Sequence, residues 1–218
     1  MNRSEIKNAA KEKIKGNIWN LLWPFLLISV VGGVLGQIIG PSMTPKITYI
    51  NGMPQITYNS ASPLQYICIL VISLALAIVA AGYFKYILDF VRTGKLESKT
   101  IIDTVKAKWL DLLIANVLSG IIIGIGFALL FVPGIIAALA LAMIDFLIID
   151  KGSKGADSLK ESYELMKGHK WEFFVFELSF LGWYLLIPIT LGLILIWLAP
   201  YVNVANTMYY DKLVSKKN

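Results

Sequence analysis

Residues 109–150 read WLDLLIANVLSGIIIGIGFALLFVPGIIAALALAMIDFLIID. The stretch has no lysine or arginine, and it is long enough for two membrane-spanning helices of about 20 residues each. Val132-Pro133-Gly134 lies near its middle. Proline lacks a backbone donor and glycine tolerates unusual dihedral angles. We therefore expect a turn there, between helices at 109–131 and 134–150.

The other apolar stretches have similar lengths. Those at 18–40 and 64–91 each suit a single helix. The stretch after Trp171 suits either one long helix or two helices, at 171–187 and 190–211. A single helix would place the basic C-terminal residues outside the cell, against the positive-inside rule. The sequence therefore predicts an all-α fold, a single membrane domain over 1–218 with six transmembrane helices and both termini in the cytoplasm.

The basic residues are confined to a few segments. All 20 lysines and arginines except Lys46 and Lys85 lie in four clusters, before, between and after the apolar stretches. The net charge of +6 would suggest nucleic-acid binding in a soluble protein. In this chain, with 57% hydrophobic residues, the positions of the charges instead fit cytoplasmic loops that face anionic lipid headgroups. The predicted partner is therefore the lipid bilayer, and no nucleic acid is expected.

A short amphipathic segment precedes each helix that leaves the cytoplasm. Residues 4–15, 97–108 and 157–167 carry apolar residues at helical spacing, which is typical of helices lying in the membrane interface. A tryptophan marks each membrane entry: Trp19, Trp109 and Trp171. The pattern has two interpretations. One is a threefold repeat of an interfacial helix and a helical hairpin, and the other is independent convergence on the chemistry of membrane entry.

The loop at 41–63 is the one long connection that we expect outside the cell. Within it, Ile47-Thr48-Tyr49 recurs as Ile56-Thr57-Tyr58 on either side of Asn51-Gly52. β-Branched and aromatic residues around Asn-Gly predict a β-hairpin. Such a hairpin would either dock an extracellular partner or form a simple cap over the helices.

Six polar residues are expected inside the membrane, at a depth of roughly 7–12 Å from the cytoplasmic boundary at 1.5 Å per helical residue. They are Lys85, Asn116, Asp145, Glu177, Asn203 and Asn206. Ionisable groups are costly in lipid, so these side chains should face the interior of the bundle. One interpretation is a polar vestibule that binds a cation, a proton or a lipid headgroup. The other is structural, with Lys85 paired to Asp145 or Glu177 and the amides bonded across helices.

Small residues recur on two helices. Gly32, Gly36 and Gly40 are spaced by four residues, as are Gly120 and Gly124. Such stripes let helices approach closely, either within the bundle or in self-association.

Signatures of catalysis and cofactor binding are missing from the sequence. His169 is the sole histidine, and there is no zinc-binding His-Glu-x-x-His motif or phosphate-binding glycine loop. We therefore expect a non-enzymatic protein with no metal or cofactor. A lipid-active enzyme is the weaker alternative. It would require Asp111, Asp150 and Glu172 to converge at the cytoplasmic interface.

Several short motifs indicate a family. They are Arg3-Ser4-Glu5-Ile6-Lys7, Ser158-Leu159-Lys160-Glu161-Ser162, Phe180-Leu181-Gly182-Trp183 and Trp197-Leu198-Ala199-Pro200-Tyr201. Together they resemble the bacterial integral membrane proteins grouped as domain of unknown function 975. The resemblance implies a multi-pass protein of the bacterial plasma membrane, with Pro200 and Tyr201 inside the last helix. It supplies no activity and no catalytic residue.

The function expected from these observations is that of an accessory or protective component of the bacterial plasma membrane. A protein partner, or a second copy bound through Gly32, Gly36 and Gly40, would fit this role. The alternative is a small transporter or channel that uses the polar residues of the inner leaflet.

Overall fold

The computed structural model describes residues 3–40, 46–57 and 61–216. Within these residues the chain forms helices and one two-stranded β-hairpin, which confirms the predicted all-α class. In chain order the elements are α1 (Arg3–Ile14), α2 (Ile18–Ile39), β1 (Lys46–Ile50), β2 (Met53–Thr57), α3 (Pro63–Thr93), α4 (Lys99–Leu129), α5 (Phe131–Leu141), α6 (Ile144–Lys151), α7 (Gly155–Met166), α8 (Lys170–Leu178), α9 (Leu181–Tyr184), α10 (Leu186–Ile189) and α11 (Leu195–Ser215).

Five segments of the described chain are long and apolar enough to cross a membrane. They are Ile18–Ile39, Pro63–Thr93, Lys99–Leu129, Phe131–Lys151 and Lys170–Ile189. The prediction of six spans is thus not confirmed. The predicted sixth span falls on α11, which carries two asparagines, an aspartate and a lysine among its apolar residues.

Helix α11 nevertheless returns the chain through the bundle. The Tyr209 ring lies 5.0 Å from the Phe176 ring, and the Trp197 ring lies 5.2 Å from the Trp183 ring. These contacts make α11 antiparallel to α8 and α9. More than half of its residues are buried, including Pro200 and Tyr201, so α11 is the central helix of the core.

The two terminal helices meet at one end of the bundle, where Lys212 of α11 forms an ion pair of 3.1 Å with Glu5 of α1. We call this the basic end; α1 and the C-terminal ends of α3, α6 and α11 form it. The buried core lies toward this end. We call the opposite end, from which the β-hairpin extends, the hairpin end. Toward it the helices present exposed apolar side chains, among them Ile38 and Leu129, which are 73% and 71% exposed. That surface suits the acyl chains of a bilayer.

The first and third amphipathic segments end in turns of the same type. Gly16 follows α1 with φ = +77°, and Gly168 follows α7 with φ = +81°. In both turns the residue after the glycine donates its backbone N–H to the carbonyl two residues before the glycine, at 3.0 Å. Counted back from the tryptophan at the membrane entry, Lys106 occupies the corresponding place in the middle segment. The prediction of a separate interfacial helix at 97–108 is therefore wrong, because α4 runs without a break from Lys99 to Leu129.

The middle and last amphipathic segments each pack on the pair of antiparallel helices that precedes them. A Cβ atom added to Gly82 of α3 would lie 2.7 Å from the Ile101 carbonyl oxygen, at the start of α4. Gly155 of α7 approaches Ile114 of α4 at 2.8 Å by the same measure. Helix α1 packs on α11 of the last hairpin and so closes the ring. The threefold repeat stays a prediction.

The turn between the third and fourth predicted spans lies earlier in the chain than predicted. Leu130 is extended, with φ = −161° and ψ = 152°, and α5 begins at Phe131. Pro133 therefore falls in the first turn of a helix, where a missing N–H removes no helical hydrogen bond. Gly134 packs so closely on Gly126 that a Cβ at Gly126 would lie 2.9 Å from the Gly134 Cα atom.

Two predicted spans are interrupted. The predicted helix at 134–150 is divided between α5 and α6, which are separated by residues 142–143. The predicted helix at 171–187 is divided among α8, α9 and α10. After α10, residues 190–194 form a turn with φ = +50° at Leu191 and +84° at Gly192. The predicted helix at 190–211 accordingly begins only at Leu195.

The predicted β-hairpin is confirmed. Ile50 pairs with Met53, and the two turn residues Asn51 and Gly52 have φ = +53° and +78°. Positive φ at both positions is the type I′ turn that Asn-Gly favours. Tyr58 of the second predicted strand lies outside the described residues.

Prediction: replacing Gly16 or Gly168 with alanine should lower the free energy of unfolding by about 1–2 kcal/mol. No atom lies within 4 Å of a Cβ at either position, so the cost comes from positive φ alone. Thermal unfolding in detergent measures it. Gly36→Ala is the control, because Gly36 is helical and a Cβ there is equally free of contacts. Equal effects at all three positions would contradict this explanation.

Candidate functional site

The six predicted polar residues do not form one cluster. Asn116 of α4 donates its Nδ2 hydrogen to Asp145 Oδ1 of α6 at 3.2 Å. Glu177 of α8 lies beside Asn206 of α11. These two pairs join different helices, as the structural interpretation predicts. The structure thus resolves the expected layer into local contacts between neighbouring helices.

The remaining two residues bond within their own helices. Asn203 donates its Nδ2 hydrogen to the Ala199 carbonyl at 2.9 Å. Lys85 forms an ion pair with Asp89, one turn later in α3. The predicted pairing of Lys85 with Asp145 or Glu177 is wrong. The four-residue spacing of Lys85 and Asp89 was the sequence signal for the local pair.

A cluster of charged side chains at the basic end, which the sequence did not predict, joins three helices. Arg92 of α3 binds both carboxylate oxygens of Asp150 in α6, with Nη2 2.9 Å from Oδ2. Its Nε donates to Asp211 Oδ1 of α11 at 2.7 Å. The Tyr210 hydroxyl donates to Asp150 Oδ2 at 2.9 Å. We call these four residues the basic-end clamp. The sequence interpretation assigned Arg92 only to a cytoplasmic charge cluster.

A buried serine of α7 bridges the interruption between α5 and α6. Ser162 is fully buried, and its hydroxyl donates to the Ala140 carbonyl at 2.9 Å. The same oxygen accepts the Met143 backbone N–H at 3.2 Å. Backbone groups released at a helix break need partners inside a bilayer. Ser162 provides two of them, a role that the sequence did not reveal.

A lysine of α1 occupies the related position at the interruption between α8 and α9. Lys7 Nζ donates to the Ser179 carbonyl at 3.0 Å and to the Ser179 hydroxyl at 3.1 Å. It also lies 4.6 Å from the centre of the Phe180 ring. Partial burial lowers the pKa of Lys7, and the nearby charge of Lys11 lowers it further. The bonds to Ser179 offset part of the cost of desolvating this ammonium group.

Two oxygen atoms near the middle of the α8–α11 contact lack partners. Glu177 Oε1 and Asn206 Oδ1 are buried and have no hydrogen bond to the described residues. Buried acceptors without a donor are unfavourable. Among the six predicted polar residues, these two are the ones with a buried side-chain oxygen that lacks a partner in the described part of the chain.

The three acidic residues of the enzyme alternative are engaged separately. Asp111 Oδ1 accepts the Gly155 backbone N–H at 3.0 Å. Asp150 belongs to the basic-end clamp, and Glu172 lies 3.1 Å from His169 Nδ1. Within the described residues, no three His, Cys, Asp or Glu side chains are grouped as a metal site would require.

The glycines of the two stripes differ in how closely other helices approach them. A Cβ on Gly32 would lie 2.9 Å from Leu76 of α3, so this glycine serves packing inside the bundle. Positions 36, 120 and 124 have no atom within 4 Å of such a Cβ. Any self-association through α2 would therefore use the part of its stripe beyond Gly32.

Residues 127–217 match the protein family described as "Protein of unknown function (DUF975)". This match covers less than half of the chain and shows that its C-terminal part is similar to this family. It extends from the end of α4 through α11 and contains the basic-end residues Asp150 and Asp211. The motifs quoted above from 158 onward fall within it, whereas the N-terminal motif does not. No curated protein and no solved structure matches the chain.

Prediction: Ser162→Ala should lower the free energy of unfolding of this protein by about 1–3 kcal/mol. The substitution leaves the Ala140 carbonyl and the Met143 N–H unpaired. Ser158→Ala is the matched control. Ser158 is equally buried on the same helix, but its hydroxyl bonds to the Gly155 carbonyl of α7 itself. A loss at Ser158 as large as that at Ser162 in thermal unfolding would argue against the bridging role.

Prediction: Arg92→Lys should lower the free energy of unfolding by about 1–2 kcal/mol, although it preserves the charge. A lysine cannot bind Asp150 through two atoms and still reach Asp211. Chemical denaturation in detergent measures the loss. Lys95→Gln removes an exposed charge close by and should have little effect. Unchanged stability in Arg92→Lys would show that the clamp does not hold the three helices together.

Proposed function

We propose that this protein is a non-enzymatic integral membrane protein, an accessory or protective component of the bacterial plasma membrane. The observation that carries the proposal is the use of its polar side chains. Ser162 and Lys7 bind backbone groups at helix interruptions, and the basic-end clamp ties α3, α6 and α11 together. In the part of the chain that the structure describes, these groups lie at separate positions, where each one holds neighbouring helices in place.

The proposed orientation places the basic end in the cytoplasm. The terminal helices meet there through Glu5 and Lys212. The basic segments that follow α3 and α6 begin at the same end. Cytoplasmic loops of bacterial membrane proteins are enriched in lysine and arginine, and anionic lipids attract such segments. The β-hairpin would then lie outside the cell.

An accessory protein needs a surface for a partner within the membrane. The outward part of the α2 stripe around Gly36 provides a smooth helix face on which a second helix can pack closely. A second copy of the chain or a helix of another membrane protein would fit there. The open positions Gly120 and Gly124 of α4 provide a similar face.

A small transporter is the second candidate. It is favoured by the buried Glu177 and Asn206 oxygens that lack partners. A carboxylate with one oxygen left without a donor inside a bundle can take up a proton, and intramembrane acids often mark proton pathways. Asp145 lies in the same half of the protein, beside Asn116.

Prediction: sealed proteoliposomes that contain the purified chain should show no proton flux above protein-free liposomes. A pH-sensitive dye inside the vesicles reports the flux under an imposed pH gradient. The variant Asp145→Asn/Glu177→Gln should behave identically, because the two acids serve structure in this proposal.

The control variant for this measurement is Asp157→Asn, which removes an exposed acid of α7. Flux in the wild type and in Asp157→Asn, lost in Asp145→Asn/Glu177→Gln, would overturn the accessory role in favour of transport. Unfolding temperatures of all three proteins should be measured in parallel, so that a loss of flux is not confused with a loss of fold.

A further inference from the structure

A groove lies where α7 meets the hairpin formed by α4 and α5. Its volume is about 500 Å³, within the range of small-molecule sites. Apolar side chains of α4 and α5 form its walls, including Ile122, Pro133, Ile136 and Ala137. Lys160 and Tyr163 of α7 and Lys170 of α8 complete it. We call this the α5–α7 groove.

The groove has an apolar part and a cationic part. Pro133 lies at the start of α5, toward the hairpin end, whereas Lys170 begins α8 on the side of the basic end. Lys170 Nζ lies 4.3 Å from the centre of the Tyr163 ring. Within the described residues, neither Lys160 nor Lys170 forms an ion pair. Two ammonium groups without a counter-ion thus stand beside a long apolar wall.

We propose that the α5–α7 groove binds one anionic phospholipid from the leaflet at the basic end. Lys160 and Lys170 contact the phosphate, and an acyl chain lies along Ile122, Ile136 and Ala137. Basic pockets between transmembrane helices bind anionic headgroups in this way. The lysine stems cover apolar surface while their ammonium groups reach the headgroup region. The site requires only a membrane location and is independent of the accessory role.

The shape of the groove favours a lipid over a soluble anion. Ile122 and Ile136 are 44% and 49% exposed, so the apolar wall opens sideways to the surface that faces acyl chains. A soluble phosphate would satisfy the lysines and leave this wall uncovered. A lipid covers the wall and neutralises the charges together.

A similar groove lies between the middle amphipathic segment and the helices α2 and α3 that precede it. A groove of about 380 Å³ lies where the start of α4 meets α2 and α3, with apolar walls that include Leu27 and Val79 and with Lys99 at its edge. In the remaining unit, Lys7 of α1 instead bonds to Ser179. Grooves with apolar walls and a lysine therefore recur where the amphipathic segment leaves space against its hairpin.

The test uses the purified full-length chain in detergent with phosphatidylglycerol that carries a photoreactive acyl chain. Mass spectrometry should find adducts on peptides from α4, α5 and α7. Phosphatidylcholine with the same chains should label these peptides several-fold less. Each lysine near an anionic headgroup contributes about fivefold in affinity. Lys160→Gln/Lys170→Gln should therefore lose at least about fivefold of the phosphatidylglycerol labelling.

Two further variants separate binding from folding. Ala137→Trp fills the apolar part and should reduce labelling while both lysines remain. Lys151→Gln/Lys154→Gln removes two exposed charges that do not line the groove, and its labelling should match the wild type. Equal labelling by both lipids, or wild-type labelling of Lys160→Gln/Lys170→Gln, would overturn the proposal. Displacement of the lipid by millimolar glycerol phosphate would show a site for the phosphate alone and would also overturn it.

Discussion

The structure depends on one constraint, which is that backbone N–H and C=O groups inside a bilayer must find partners within the protein. Continuous helices such as α3 and α4 meet it by themselves. The two interrupted spans do not, because each break releases donors and acceptors. Side chains from α7 and α1 supply partners at those breaks, through Ser162 and Lys7. The amphipathic helices are therefore part of the bundle as well as of its surface.

This requirement explains the position of the core. The two interruptions that Ser162 and Lys7 bridge, the amphipathic helices and the polar pairs lie toward the basic end, where the buried residues are concentrated. Toward the hairpin end α2, α3 and α4 are unbroken and need no such partners, whereas the short helices α9 and α10 lead into the turn at residues 190–194. Their apolar side chains can face lipid, and small residues allow a very close helix contact there, between Gly126 and Gly134. The division between the halves follows from where the backbone needs side chains.

Much of the fold could be predicted from the sequence because its signals were local. The apolar stretches of α2 and α3 are continuous in the sequence, and the turn at Asn51-Gly52 depends on two adjacent residues. The difference between Gly168 and Lys106 was also visible in the sequence. Glycine permits the positive-φ turn that follows α7, whereas the middle segment has a lysine there and continues into the span. The position of the turn near Pro133 was misjudged by a few residues, because proline is tolerated in the first turn of a helix as well as between helices.

The candidate site was less predictable because it depends on rotation about helix axes and on contacts between distant segments. Depth in the membrane can be counted along a helix, and it placed Asn116 and Asp145 correctly in one layer. Depth does not reveal which side chains face each other, so Lys85 was assigned to the wrong partner. The long-range bonds of Ser162 and of Arg92 could not be read from spacing, since their partners lie on other elements.

The three amphipathic segments occupy equivalent positions but complete them differently. Where α1 meets the last hairpin, Lys7 reaches inward and bonds to Ser179. Where α7 meets its hairpin, Ser162 serves the break, and Lys160 remains at the edge of an apolar groove. A lysine that has no backbone group to bind keeps its charge available, and in a membrane the abundant counter-ion with an apolar body is an anionic lipid. One architectural position can thus supply a structural bond in one unit and a lipid contact in another.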